Sequence, residues 1–118
     1  MKELKLSEII KKIELKVECG NEVLNRSVTG GYVSDLLSDV MANAMKGDIW
    51  ITLQGHPNIV AVAVLKEIAG IIIAGNRKIE PETIKKAEQE KIPIMTTELF
   101  SFEVAGKLYE MGISGSRK

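Results

Sequence analysis

Histidine and cysteine are almost absent from this sequence, which holds one of each among its 118 residues. Because Cys19 has no second cysteine, it cannot close an internal disulfide. A metal centre needs several His, Cys, Asp or Glu ligands at workable spacing, and no such cluster surrounds Cys19 or His56. We therefore expect a protein without disulfides, without a metal site and without a bound cofactor.

An excess of charge of either sign is also missing, because 16 basic and 16 acidic residues cancel. Without a net positive field, the chain has no general attraction for nucleic acid or for an anionic membrane. No segment offers the roughly 20 apolar residues of a membrane span, and residues 1–12 are charged throughout, unlike a signal peptide. These features predict a cytoplasmic protein that has neither nucleic acid nor membrane as a partner.

The motifs of common enzyme classes are missing as well. No glycine string has Walker A or dinucleotide-binding spacing, and residues 112–115 only approximate the nucleophile elbow of serine hydrolases. The paired carboxylates Asp35 with Asp39 and Glu80 with Glu82 fall at predicted helix starts or on solvent faces, where they favour the helix dipole. We therefore expect that the chain is not an enzyme.

What the sequence does contain is a regular alternation of strand and helix patterns in a length that fits one domain. We predict an α/β fold: a single compact domain whose central, mostly parallel sheet is built from repeated βα units and flanked by helices. Residues 1–113 form the domain, and residues 114–118 form a disordered tail. The predicted helices cover residues 7–13, 34 to Gly47, 57–68, 80–90 and 98–111, and the predicted strands cover 15–19, part of 25–33, 48–53, 70–74 and 92–95.

The predicted helix 57–68 is apolar almost all round. Such a helix has to be covered on more than one side. A neighbouring helix or a partner subunit can provide that cover, and the sequence favours neither. The run Ile71-Ile72-Ile73 is typical of a parallel strand that is buried on both faces.

Short polar loops follow the predicted parallel strands. In open α/β sheets this carboxyl edge binds ligands, and the N–H groups of the following helices favour anions. The candidate ligand-binding residues in these loops are Gln54, Gly55, His56, Asn58, Gly75, Thr96 and Thr97.

Each of these residues also has a structural interpretation. His56 can contact a phosphate or donate a proton, or it can be an ordinary residue at a helix start. Thr96 or Thr97 can hold a ligand or cap the last helix. Arg77 and Lys78 can bind phosphate or remain solvated. The pair Gly30-Gly31 permits a close approach by a ligand or by another chain, or a local bulge in a strand.

The segment 25–38, which contains Asn25, Arg26, Thr29, Gly30 and Gly31, resembles the signature of DRTGG domains. Residues 47–56, 70–73 and 102–109 support the resemblance, which extends over nearly the whole chain. Asn25 stands where the signature has Asp, so a charged contact there becomes a neutral hydrogen bond. The resemblance adds Arg26, Thr29, Gly30 and Gly31 to the candidate ligand-binding residues.

The resemblance also implies a function. DRTGG domains accompany CBS domains in regulated pyrophosphatases, and they are similar to the N-terminal domain of HPr kinase. The resemblance therefore implies a non-catalytic regulatory domain that forms a homodimer. Two functions follow as hypotheses: a sensor of an adenine nucleotide or another small anionic metabolite, or a module that docks on a redox or iron-hydrogenase-associated protein without a small ligand.

Overall fold

The computed structural model describes residues 4–116, which form three layers with a sheet between two sets of helices. The strands are β1 (Leu4–Lys5), β2 (Lys16–Cys19), β3 (Ser27–Val28), β4 (Gly30–Val33), β5 (Asp48–Thr52), β6 (Gly70–Ile73) and β7 (Ile94–Thr96). The helices are α1 (Leu6–Ile13), α2 (Leu37–Asn43), α3 (Asn58–Lys66), α4 (Pro81–Glu90) and α5 (Ser101–Glu110), with a short 3-10 turn at Asn21–Val23.

The main sheet has the strand order β2-β7-β6-β5-β4, and all its neighbours are parallel except the β2–β7 pair. This confirms the predicted α/β fold with a mostly parallel sheet. A separate antiparallel pair, β1 with β3, lies beside α1. Because β5, β6 and β7 are parallel, the loops that follow them lie together at the carboxyl ends of the strands. This end of the sheet is here called its carboxyl edge, and the opposite end its amino edge.

Successive side chains of the central strands point to opposite faces of the sheet and belong to two separate hydrophobic cores. On β5, Ile49 and Ile51 belong to the core beneath α1 and α5, whereas Trp50 belongs to the core beneath α2, α3 and α4. Trp50 is fully buried, and its indole N–H donates to the carbonyl of Ser34 at 2.9 Å. Burial on both faces explains why the run in β6 is continuously apolar.

Helix α3 packs against the sheet, α2 and α4, so neighbouring helices provide most of its cover. Its outer side remains exposed at Ala61, Val64 and Leu65, with Leu65 69% exposed. The all-round apolar pattern therefore reflects a buried inner face and an apolar outer face. Within residues 4–116, no helix combines the length and the apolar composition needed to cross a bilayer.

Several predicted helix boundaries were wrong, because tertiary hydrogen bonds replace helical ones. Helix α2 ends at Asn43, four residues before Gly47, and the Asp48 carboxylate accepts the N–H of Met45 at 2.8 Å. Helix α5 starts at Ser101 and not at residue 98, because the carbonyls of Thr97 and Leu99 bond to the loop after β6. Its end at Glu110 lies one residue before the predicted one, and the predicted glycine stop is confirmed: Gly112 has φ +99°, and the N–H of Ile113 donates to the carbonyl of Leu108 at 2.9 Å.

The segment after α5 returns to the sheet. Gly115 forms a parallel bridge with Gly31 on the edge strand β4, and the N–H of Gly31 donates to the carbonyl of Ser114 at 3.1 Å. Residues 114–116, which were predicted to begin a disordered tail, bond to the sheet through the Ser114 carbonyl and the Ser116 hydroxyl. The rest of that predicted tail, residues 117–118, lies outside the described residues.

Candidate ligand-binding site

Two cavities lie at the carboxyl edge of the sheet, and the turn Arg77-Lys78 lines both. The first, here called the β5 cavity, has a volume of about 640 Å³ and is lined by Asp35, Leu53, Gln54, Gly55, His56, Arg77, Lys78 and Glu80. The second, here called the β7 cavity, has a volume of about 880 Å³ and lies among the loops after β6 and β7 and the end of α1. The turn after β6 is therefore the shared wall of the site.

Asp35 holds the loop after β5 in place. Its carboxylate accepts the Thr52 hydroxyl at 2.9 Å and the Leu53 N–H at 2.7 Å, and its carbonyl accepts the side-chain amide of Gln54 at 3.0 Å. Asp35 was expected to be a solvated charge at a helix start. Its side chain is exposed, but α2 begins only at Leu37 and Asp35 Oδ1 bonds to the end of β5. The amide nitrogen of Gln54 is likewise engaged within the protein.

Gly55 allows the loop after β5 to touch the loop after β6. A Cβ on Gly55 would meet the carbonyl oxygen of Lys78, so a larger residue cannot take this position without moving one loop. The carbonyl of Gly55 accepts the Thr83 hydroxyl at 2.7 Å and the Glu80 N–H at 3.2 Å. Its role in the structure is to join the two walls of the β5 cavity.

His56 is exposed at the start of α3, and its Nδ1 accepts the N–H of Asn58 at 3.0 Å. The ring therefore satisfies one of the free N–H groups of the helix start, as the structural interpretation predicted. With Nδ1 accepting, Nε2 carries the proton of the neutral ring and is the atom available to a ligand in the β5 cavity. Asn58 opens the helix and is not among the residues that line either cavity.

Thr96 and Thr97 both line the β7 cavity, but neither caps α5. The Thr96 hydroxyl donates to Glu18 at 2.7 Å, and the Thr97 hydroxyl accepts the N–H of Leu99 at 3.1 Å. The capping interpretation was wrong because Thr97 closes a local turn four residues before α5 begins at Ser101. Thr97 keeps a hydroxyl proton that it can donate to a ligand.

The β7 cavity combines cations with an apolar wall. Its positive side chains come from α1, β2, the loop after β6, and α5, and its three carboxylates include Glu18, which also lies 3.8 Å from the Lys16 ammonium. Ile13, Ile79, Ile84 and Leu99 supply apolar surface. The cations are Lys12, Lys16, Arg77, Lys78 and Lys107.

Sequence reasoning did not place Lys12, Lys16 and Lys107 in a site, and it left Arg77 and Lys78 open. These cations come from separated parts of the chain, and only the fold brings them to one cavity. The sequence signal available was the position of Arg77 and Lys78 directly after a buried parallel strand. Nothing local to the three lysines distinguishes them from solvated charges.

The signature residues lie at the opposite edge of the sheet. Gly30 pairs with Asp48, the first residue of β5, whereas Gln54 follows the end of that strand. A strand of this length separates the two ends by roughly 13 Å or more. Arg26, Thr29, Gly30 and Gly31 therefore do not share a cavity with the loops after the strands.

Arg26 and Thr29 bond to backbone. The Arg26 guanidinium donates to the carbonyl of Lys91, at the end of α4, at 2.7 Å, and its partial burial lowers the pKa of this group. The Thr29 hydroxyl donates to the carbonyl of Lys46 at 3.5 Å, and the N–H of Thr29 donates to the carbonyl of Gly47 at 3.0 Å. These contacts connect the segment that contains β3 and β4 to the loops that precede β5 and β7.

The remaining candidate, Gly75, shapes the loop after β6. Its φ is +79°, its N–H donates to the carbonyl of Leu99 at 2.7 Å, and the ring of Phe100 lies 3.3 Å from where a Cβ would be. Gly75 therefore positions Arg77 and Lys78 without lining a cavity. Residues 4–116 contain no group of three or more His, Cys, Asp or Glu side chains placed to hold a metal ion.

Comparison with known proteins identifies the fold and the family signature. The sequence profile of the DRTGG domain matches residues 8–111. A crystal structure of the CBS and DRTGG domains of the regulatory region of Clostridium perfringens pyrophosphatase, complexed with the activator diadenosine tetraphosphate, is similar with a TM-score of 0.70 and 19% sequence identity. The similarity covers 86% of this chain and 44% of that chain, so this chain spans less than half of it. A search of curated proteins gave no match.

Proposed function

Because the chain belongs to the DRTGG domain family, we propose that it is a non-catalytic regulatory domain that senses a small anionic metabolite in the β7 cavity. An adenine nucleotide is the leading ligand class. The domain works as a homodimer in the cytoplasm. The cavity and the turn Arg77-Lys78 carry the ligand part of this proposal.

The single observation behind the ligand part of this proposal is an excess of positive side chains around the β7 cavity in a protein whose net charge is zero. Five cations and three carboxylates line the β7 cavity, while the whole chain is neutral. Glu18 is paired with Lys16 and accepts the Thr96 hydroxyl, which leaves four cations and two carboxylates without this pairing. An open cavity with more cations than carboxylates attracts an anion. The planar guanidinium of Arg77 can donate two parallel hydrogen bonds to a phosphate group.

The shape of the cavity supports a ligand that is larger than a bare anion. Its volume of about 880 Å³ lies in the range of small-molecule sites. Ile79, Ile84 and Leu99 offer apolar contact beside the cations, as a heteroaromatic base requires. The related pyrophosphatase region is known in complex with diadenosine tetraphosphate, which makes adenine nucleotides the first compounds to test.

Thermal unfolding in the presence of nucleotides tests the proposal. A ligand at 100 times its dissociation constant stabilises the folded state by about 2.7 kcal/mol. AMP, ATP, diadenosine tetraphosphate and inorganic phosphate are compared at equal ionic strength, with Trp50 fluorescence reporting unfolding. We expect at least one nucleotide to raise the midpoint by several degrees and phosphate to have less effect. A midpoint that no compound moves would contradict nucleotide sensing.

A docking module without a small ligand is the second candidate function. The observation that favours it is the exposed apolar side chains of α2, of the loop after α2 and of α3: Met41, Met45, Val64 and Leu65 are 38–69% exposed. On this alternative, a redox or iron-hydrogenase-associated protein covers that surface. Titration of a purified candidate partner with wild-type protein and with Leu65→Ser tests it, because loss of binding in the variant alone supports docking there.

A further inference from the structure

Helix α5 presents two aromatic rings to solvent. Phe102 is 86% exposed and Tyr109 is 66% exposed. At 3.6 residues per turn the two side chains lie within about 20° of each other around the helix, two turns apart. They form one apolar stripe on the outer side, opposite the buried Val104 and Leu108.

Between the two rings lies Gly106, whose position needs no glycine for internal packing. A Cβ added to Gly106 would meet nothing within 4 Å. Glycine inside a helix costs about 0.5–1 kcal/mol relative to alanine, and here no contact within the protein accounts for that cost. The helix thus carries a notch between two rings, a shape that allows another helix to approach closely.

Charged residues occupy the other side of the notch. Glu103 and Lys107 are exposed and lie on the flank of Gly106 away from the rings. Helix α1, the neighbour of α5 in the same layer, instead exposes polar side chains, including Ser7, Glu8, Lys11 and Lys12. The combination of rings, notch and opposite charges is therefore a feature of α5 and not of the whole layer.

A twofold axis across the two helices makes these features self-complementary. In an antiparallel pair that crosses between Ala105 and Gly106, residues whose numbers add to about 211 face each other. Phe102 then faces Tyr109 of the second copy, and Glu103 faces Lys107 of the second copy. Each contact occurs twice, with rings on one flank and ion pairs on the other. A parallel pair would place the rings against the charges.

We propose that α5 is the dimer interface of this protein and pairs with α5 of a second copy in an antiparallel arrangement that crosses beside Gly106. This inference rests on the homodimer in the proposed function. The two exposed rings offer about 300 Å² of apolar surface per protomer, and Glu103, Lys107 and Glu110 extend the contact. A standard interface takes about 800 Å² from each partner, so we expect a reversible dimer that dissociates on dilution.

Substitution of the notch tests the proposal. Sedimentation equilibrium of the full chain measures the dimer dissociation constant for wild type, Gly106→Gln and Phe102→Ser. Glutamine removes the notch and is a good helix former, so Gly106→Gln should raise the thermal midpoint at low protein concentration while weakening the dimer at least tenfold. Leu65→Ser is the matched control on α3, since Leu65 is also a large exposed side chain; it should leave the dimer unchanged.

Charge reversal tests the antiparallel register. Glu103→Lys should weaken the dimer at least fivefold, and Glu103→Lys with Lys107→Glu should restore it. A wild-type dimer that keeps its dissociation constant in Gly106→Gln and Phe102→Ser would overturn the α5 interface and leave the proposed homodimer intact. A wild-type protein that is monomeric at every concentration would overturn both the α5 interface and the proposed homodimer. Nucleotide binding by that monomer would still support the sensing function.

Discussion

The hydroxyl of Ser116 donates a hydrogen bond of 2.7 Å to the carboxylate of Asp48, which is fully buried at the first position of β5. The other oxygen of the same carboxylate accepts the N–H of Met45 at 2.8 Å. Both oxygens of a buried charge are thus bonded, as burial of a charge requires. The segment after α5 therefore contributes to the amino edge of the sheet, beside the signature glycines.

This contact requires a glycine at position 30 and gives the first prediction. A Cβ on Gly30 would lie 2.5 Å from the Cβ of Ser116 and 2.7 Å from Asp48 Oδ1, whereas a Cβ on Gly31 would meet nothing nearer than 3.6 Å. We expect Gly30→Ala to lower the free energy of unfolding by about 1–3 kcal/mol and Gly31→Ala to be neutral or stabilising. Urea unfolding followed by Trp50 fluorescence measures both, and equal losses in the two variants would refute this role of Gly30.

The second prediction concerns Cys19, which is 1% exposed and lies 3.6 Å from the carbonyl of Ile92. Burial raises the pKa of its thiol to about 11, from 9.0. Because the folded protein favours the protonated thiol, this stabilisation is complete below pH 9 and is lost as the pH rises towards 11. We expect unfolding free energy to fall by about 2–3 kcal/mol over that range.

The matched variant for this prediction is Cys19→Val, which keeps an apolar side chain and removes the titrating group. Its unfolding free energy should depend less on pH between 9 and 11 than that of wild type. Urea unfolding at a series of pH values makes the comparison. Parallel pH profiles for the two proteins would show that another group is responsible.

The third prediction links the two proposed sites through Lys107. This residue lines the β7 cavity and also lies on the outer flank of α5. If phosphate groups engage its ammonium, the ion pair with Glu103 of the second copy weakens, and linkage makes the effect reciprocal. We expect a saturating nucleotide to raise the dimer dissociation constant at least about fivefold. The effect should vanish in Lys107→Gln, and its persistence there would exclude Lys107 as the link.

The fold was largely predictable because apolar residues recur at helical spacing in some segments and form strand-like runs in the segments between them. The continuous run Ile71-Ile72-Ile73 indicated a strand buried on both faces, and it lies in the middle of the sheet. The start of α5 was not predictable, because the loop hydrogen bonds of Thr97 and Leu99 to residues 75–76 depend on strand order. Local propensity favours helix there, and tertiary contacts override it.

The site was predictable in part. The carboxyl edge of the sheet was found from the strand pattern, and Gln54, Gly55, His56, Thr96 and Thr97 line its cavities. The signature residues, which the resemblance added to the same candidate set, lie at the other end of the strands, since Gly30 marks the start of β4 and the loops follow the ends of β5, β6 and β7. Residues 113–116 lie more than 80 positions after the glycine pair, so no local sequence pattern indicated that they contact Gly30 and Gly31.

The fourth prediction concerns Arg77, whose removal tests the central claim most directly. Isothermal titration calorimetry measures the binding of the most stabilising adenine nucleotide to wild type, to Arg77→Ala and to Lys85→Ala, an exposed cation on α4 that lines neither cavity. A lost charge-assisted hydrogen bond should weaken binding at least about tenfold in Arg77→Ala, with Lys85→Ala unchanged. Equal affinity in all three proteins, or no heat of binding to wild type, would contradict a nucleotide sensor at this edge of the sheet.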